Sequence, residues 1–404
     1  LLYWIIGTVL AGGGLLWLFS TPREGNMRPV GGRRIKTILA WLLIRLGSHK
    51  REDKLGLEYS NVRVPPLPGT DIENYNDSFV FQGSDREGSL FMTRIGFRKG
   101  GREAEVWLWM VLEGKKYVID RDLVELDPED QATISAGGIT YTCLDREKST
   151  WRITCEGKLN GGKVECSVDL TFTPRSEIYH SGIHMSPWSF AKAMSEMKWS
   201  REYFNRLRSE NQTRIEQGGV LQGQVVVNGK KVSLDLPGIR DHSWGKRDWT
   251  YINRYIWNIL SFQHDIMINN EAYRYLVYTT VDYGSSFRHL VTGWIGGENS
   301  VLPIVEASDM SALGVDGTIP EFFLTRFRAR GGPVMQIKYR RSRIEHPWIT
   351  QQGGFEINEA QCRCRVGEAR GSGMSEFGFA LNRGYNRPAD SEKSQGKEVP
   401  YRSD

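Results

Sequence analysis

Chemistry-bearing side chains crowd into one stretch near the middle of the chain, Gly238-Ile239-Arg240-Asp241-His242-Ser243-Trp244-Gly245-Lys246-Arg247-Asp248-Trp249. A connecting loop has little use for two tryptophans, and a core strand cannot bury several charges unless they pair with one another. Asp241 could serve as a general acid if it is buried among aromatic rings. His242 could shuttle or orient the proton. Trp244 and Trp249 offer π faces to an apolar ligand or to a developing cation. The same residues also fit a structural corner in which Arg240–Asp241 and Arg247–Asp248 pair as ions.

Other candidates are weaker. His180 and His184 have helical metal-ligand spacing, but Gly182 and Pro187 lie beside them. The carboxylate that a zinc protease would need is missing. Cys362-Arg363-Cys364 has no partner pair at zinc spacing, so no metal is expected. No glycine-rich phosphate loop follows a strand, and no Gly-x-Ser-x-Gly elbow occurs, so no nucleotide or other cofactor is expected. His264 and His289 fall in strand candidates of the second half.

The elements that must position these residues are strands. Gln222 to Leu236 reads as a hairpin with Asn228-Gly229 at its tip, because Asn-Gly takes the positive φ angles of a tight two-residue turn. Val164 to Phe172 alternates apolar and polar, the signature of a strand with one buried and one wet face. Further strands are expected at 89–97, 105–112, 116–119, 151–155, 255–263, 273–282, 287–295, 321–328, 334–341 and 355–361. Ser186 to Glu210 breaks the pattern as a helical insertion. Glycine-rich turns and the lack of alternating crossover helices favour antiparallel sheets over a parallel α/β fold.

The 404 residues carry 13 Trp, 16 Tyr and 16 Phe, a supply that suits strands and apolar pockets. The net charge is +5, but residues 23–54 hold nine Lys or Arg against three acids, which leaves 5 − 6 = −1 for the rest. Such local basicity argues for a membrane surface and against a nucleic-acid groove. Leu1 to Phe19 is uncharged and, as a helix, would span roughly 28 Å. A single-pass anchor over 1–20 is therefore expected, with a cleaved signal peptide as its competitor. Residues 21–57 form a basic juxtamembrane segment, in which Thr37 to Leu46 reads either as an interfacial helix or as a helix packed on the body. The positive charge after the anchor places the body in the cytosol, at the endoplasmic reticulum or another endomembrane. The sequons Asn76-Asp77-Ser78 and Asn211-Gln212-Thr213 point instead to a lumenal or secreted body. Five cysteines favour reduced thiols, although Cys155 and Cys166 could pair across a hairpin.

Glu216-Gln217, the hairpin, and the run from Gly238 to Trp249 together resemble the carotenoid hydratase (hydroxyneurosporene synthase) superfamily. That group is also similar to fungal Diels–Alderases and plant tocopherol cyclases. The resemblance implies an all-β, mainly antiparallel fold of two lipocalin-like, calycin-type β-barrels or sandwiches side by side. The first would span 58–218, with the helical insertion at 186–210, and the second 219–385, before a disordered tail at 386–404. It implies an apolar pocket for an isoprenoid or lipid-like ligand and acid-assisted hydration, isomerisation or cyclisation without a cofactor. Asp241 would donate the proton with His242 beside it. Trp244, Trp249, Glu216, Gln217, Arg240, Trp257 and His264 would contact the ligand. A non-catalytic lipid carrier or sensor, or an interaction scaffold, remains the alternative with the same fold.

Overall fold

Asn228 and Gly229 adopt φ angles of 47° and 79°, as a tight hairpin turn requires. Strands β9 (Gln212–Val227) and β10 (Lys230–Lys246) therefore pair from Val227–Lys230 to Gln212–Gly245 with no break in register. The computed structural model describes residues 30–48, 57–126, 133–209, 212–247, 249, 252–283, 286–313, 318–350 and 354–381. The expected anchor over 1–20 and the tail over 386–404 lie outside these residues. Among the described residues, no helix is long and apolar enough to cross a membrane.

Two antiparallel sheets make up the body. The first has ten strands in the order β4-β3-β2-β1-β10-β9-β8-β7-β6-β5. Its outer members are the meanders β1 (Tyr75–Ser84), β2 (Leu90–Arg98), β3 (Glu103–Leu112), β4 (Lys115–Glu125) and β5 (Ile134–Ala136), β6 (Ile139–Asp145), β7 (Thr150–Leu159), β8 (Val164–His180). The β9–β10 hairpin is laced between them, with β10 on β1 and β9 on β8. The second sheet is a closed eight-stranded barrel in sequential order. It runs through β11 (Ile252–Ile268), β12 (Glu271–Tyr283), β13 (Phe287–Gly296), β14 (Val301–Ala307), β15 (Phe322–Ala329), β16 (Val334–Ile349), β17 (Phe355–Val366) and β18 (Ala369–Ala380).

Two expectations are corrected here. The first unit is an open sheet and not a closed barrel, curled so that Val118 of β4 and Asn160 beyond β7 exchange hydrogen bonds at 2.8 and 2.9 Å. The boundary at 218/219 is also displaced. The hairpin completes the first sheet, because Val225, Leu234 and Leu236 pack with Phe79, Phe81 and Trp151 in that unit's core. The break between units falls between Lys246 and Ile252. The thiols of Cys155 and Cys166 are free, and each faces a different partner across the β7–β8 ladder, Val168 and Gly157.

Three large apolar layers result, beside a small cluster of Ile256, Leu313 and Phe377. One fills the curl of the first sheet, and one fills the barrel around Leu260, Tyr278 and Phe327. The third lies between the units, where Val80, Trp107 and Ile239 of the sheet meet Trp257, Val277 and Trp294 of the barrel. Strand β1 is buried along its whole length because both its faces are covered, so it carries no wet face to read. Close approach depends on glycine at Gly218, where a Cβ would lie 2.3 Å from the Tyr275 ring. The Tyr275 hydroxyl donates to the Gly219 carbonyl at 3.2 Å and pins barrel to sheet.

The described residues form four α-helices: α1 (Val30–Ser48), α2 (Ser181–His184), α3 (Pro187–Ser195) and α4 (Arg201–Ser209). Ser186 caps α3 by accepting from the Ser189 amide, and Pro187 stands at its first position. Helix α1 packs on α3 and buries Lys36 and Ala40, and the Lys36 ammonium donates to the Met197 carbonyl. The sequon at Asn76 is closed to modification in the folded chain, since Asn76 is buried and donates to the Ser243 carbonyl at 3.2 Å.

Candidate functional site

Side chains alternate along β9 and β10, and this parity selects the site. Arg214 and Glu216 on β9, and Asp241 and Ser243 on β10, face the interunit layer, where a cavity of about 260 Å³ opens. The hairpin register sets Glu216 directly opposite Asp241 and Arg214 opposite Ser243. The cavity therefore lies between sheet and barrel. The barrel wall contributes Trp257, Val281 and Leu290, and the helical end contributes Met185 and Phe190.

The polar centre is a carboxyl pair contacted by the Arg214 guanidinium, and Arg247 lines the same cavity. Arg214 Nε stands 3.0 Å from Asp241 Oδ2, and Arg214 Nη1 stands 3.6 Å from Glu216 Oε1. The Arg214 guanidinium also lies 4.7 Å from the centre of the Trp257 ring. Trp294 Nε1 donates to Glu216 Oε2 at 2.7 Å. Glu216 is 2% exposed and Asp241 3%. Burial lifts the Glu216 carboxyl to about 8, with the Asp241 charge adding to the rise and Arg214 opposing it. Burial by itself would lower Arg214, but Asp241 and Glu216 hold it firmly charged. Neither Glu216 Oε1 nor Asp241 Oδ2 receives a well-formed hydrogen bond, and a proton on Glu216 directed at Asp241 satisfies both.

A third acid reaches the same cavity from the barrel. Glu376 lies opposite Glu359 in the β17–β18 ladder and accepts from the Tyr255 hydroxyl. Burial also raises the Glu376 carboxyl. Arg94 lines the sheet side, with Nε donating to Ser78 Oγ at 2.6 Å and its guanidinium over the Trp107 ring at 4.2 Å.

The residues singled out from sequence divide between the two faces of the sheet. Asp241, Glu216, Trp249 and Trp257 line the cavity. His242 does not. It points into the core of the first sheet, stacked on Phe79 at 3.8 Å, with Nε2 2.7 Å from Asp77 Oδ1. Trp244 shares that face, against His242 and Tyr59. Arg240 and Gln217 also leave the cavity. Arg240 Nε donates to Gln217 Oε1 at 3.1 Å, and Gln217 Nε2 donates to the Ser176 carbonyl at 2.9 Å. His264 is exposed at the break in register between Ser261 and Ile266. For the motif residues the physical reason is shared: a strand sends neighbouring residues to opposite faces, so a contiguous motif cannot present every side chain to one ligand. Among the described residues, no group of three or more His, Cys, Asp or Glu is placed to hold a metal ion.

Sequence reasoning missed Arg214, Trp294 and Glu376. Arg214 was reachable, being two residues before Glu216 on the same strand face. Trp294 and Glu376 arrive from the barrel, with no local signal tying them to the motif.

No curated protein sequence matches the chain. Among solved structures it is similar to an AttH-like protein from Nitrosomonas europaea, with 10% identity, a TM-score of 0.48, and 78% of this chain and 98% of that one covered. It is similar to kievitone hydratase from Nectria haematococca, with 10% identity, a TM-score of 0.44, and 80% and 94% covered. CghA with Sch210972 follows at 8% identity, a TM-score of 0.44, and 79% and 94% covered. A family model described as a domain of unknown function, DUF7064, matches residues 62–380, and the chain belongs to that family.

Proposed function

We propose that the interunit cavity binds a lipophilic, isoprenoid- or lipid-like molecule and catalyses a proton-transfer reaction on it without a cofactor. Hydration, isomerisation and cyclisation share that chemistry. The observation that carries the reading is the Glu216–Asp241 pair, buried on the wall of a mainly apolar cavity, with both carboxyls in contact with Arg214. An apolar site that keeps a carboxyl protonated near neutral pH supplies a strong proton donor. In this reading the donor is Glu216 in place of Asp241, the donor expected from the motif, and Asp241 is the carboxyl that faces it across the hairpin. The proton passes from Glu216 to an alkene carbon of the substrate, leaving a cation. Trp257 and Trp249 shield that cation with their π faces. Water adds to the cation in a hydration, and its surplus proton returns to the carboxyl pair. In an isomerisation or cyclisation the proton returns from a neighbouring carbon.

A binding-only reading has one observation of its own: the ion contact between Arg214 and Asp241 fits a structural corner as well as a reactive one. The two are separated by extracting the compounds that copurify with the protein and incubating them with it in D₂O. Deuterium entering an extracted compound with the wild type, and lost in Glu216→Gln and Asp241→Asn while the compound is still retained, is the expected result. Retention by the wild type without deuterium uptake would make the protein a carrier.

A further inference from the structure

Helix α1 buries one side against the body and leaves an apolar stripe on the other. Ile35, Ile38, Leu42, Leu43 and Leu46 are 39–53% exposed, whereas Lys36, Thr37 and Ala40 are buried. At about 100° per residue, Ile35, Ile38, Leu42 and Leu46 fall on one strip along the axis. Arg34 and Arg45, both exposed, fall together on one margin of that strip. The helix sequence contains no acidic residue.

We propose that this stripe of α1 docks the folded body onto an anionic lipid bilayer, with the helix lying in the plane of the interface. Apolar side chains at such spacing, edged by arginines, sink into the boundary between acyl chains and headgroups while the guanidinium groups meet lipid phosphates. A second copy of the chain is the poorer occupant. Two such helices paired about a two-fold axis would bring four like charges to one seam, with no acid in the helix to balance them. The sequence before the helix agrees with lipid: Leu1–Phe19 carries no charge, and ten residues separate it from Val30.

The docking has a consequence for the cavity, and this part rests on the proposed function. Helix α1 packs on α3, which sends Phe190 into the cavity wall and leaves Trp188 39% exposed. A bilayer against α1 therefore lies beside the helical end of the cavity.

The test uses the full chain with an environment-sensitive fluorophore on Leu42→Cys, or on Met267→Cys of the barrel, which is 57% exposed and serves as the control. Vesicles of phosphatidylcholine, with and without phosphatidylserine, carry a nitroxide quencher on the acyl chain. The expected result is several-fold stronger quenching at position 42 than at 267, greater with phosphatidylserine, and thermal melting of both labelled proteins unchanged. Equal quenching at the two positions on vesicle-bound protein would overturn the proposal, since attachment would then run through other residues. Light scattering that shows a dimer whose dissociation exposes the label at 42 would overturn it in favour of a second copy. Quenching indifferent to phosphatidylserine would overturn the anionic surface. No substrate enters the assay, so its outcome is independent of whether the carboxyl pair is catalytic.

Discussion

Replacing Glu216 by Gln should change how stability depends on pH, and the direction and size follow from the site. Burial, with Asp241 nearby, lifts the Glu216 carboxyl from an ordinary 4.5 to about 8 in the folded protein. The unfolded chain keeps the ordinary value. Between these two limits the folded wild type holds one proton more than the unfolded chain, so its stability falls as pH rises. Below the lower limit both states hold the proton, and above the upper limit neither does, so no slope remains at either end. Glutamine has the same shape and nothing to titrate. Its amide can donate to Asp241 as the carboxyl does, while its carbonyl accepts from Trp294. The variant should therefore gain on the wild type by about 1.4 kcal/mol per pH unit across the window. That amounts to on the order of 3 kcal/mol at neutral pH. Urea unfolding of both proteins, at intervals from about pH 5 to about pH 8, reads the difference directly because all other titrating groups are common to the two. Two curves running parallel within about 0.5 kcal/mol across that range would refute the argument, for Glu216 would then titrate as an exposed glutamate does.

Three further outcomes follow from the same geometry. Arg214→Met leaves the carboxyl pair without its cation, and should cost about 3–5 kcal/mol in urea unfolding, with the loss growing as pH rises. His242→Leu removes the contact with Asp77 on the far face of the sheet; it should cost about 1–3 kcal/mol of stability yet leave retention of copurifying apolar compounds unchanged. Gly218→Ala places a Cβ 2.3 Å from the Tyr275 ring and should destabilise by about 1–3 kcal/mol, with looser ligand retention because sheet and barrel are pushed apart at the cavity.

Much of the site was legible in the chain itself. The Asn228-Gly229 turn fixes where Val227 meets Lys230, and Glu216 and Asp241 each lie eleven residues beyond that pair, so the hairpin alone places the carboxyls opposite one another. Strand parity likewise separates Asp241 and Ser243 from Arg240, His242 and Trp244, which is why the motif could not serve as a single wall. Six of the eight barrel strands and the helical insertion were readable for the same reason, because turns and periodicity are local properties, whereas the strands Val301–Ala307 and Ala369–Ala380 were not expected. What the chain could not disclose is which of the two faces meets a partner, and what that partner is. Strand β1 is covered on both sides and shows no alternation, so nothing in its residues distinguishes the inner core from the cavity side. Trp294, Trp257 and Glu376 come from the barrel, and only the packing of the barrel against the sheet brings them to the carboxyl pair. The hollow is a property of two surfaces that meet imperfectly. Its position between the units, and the desolvation that keeps a proton on Glu216, exist only once both surfaces are in place.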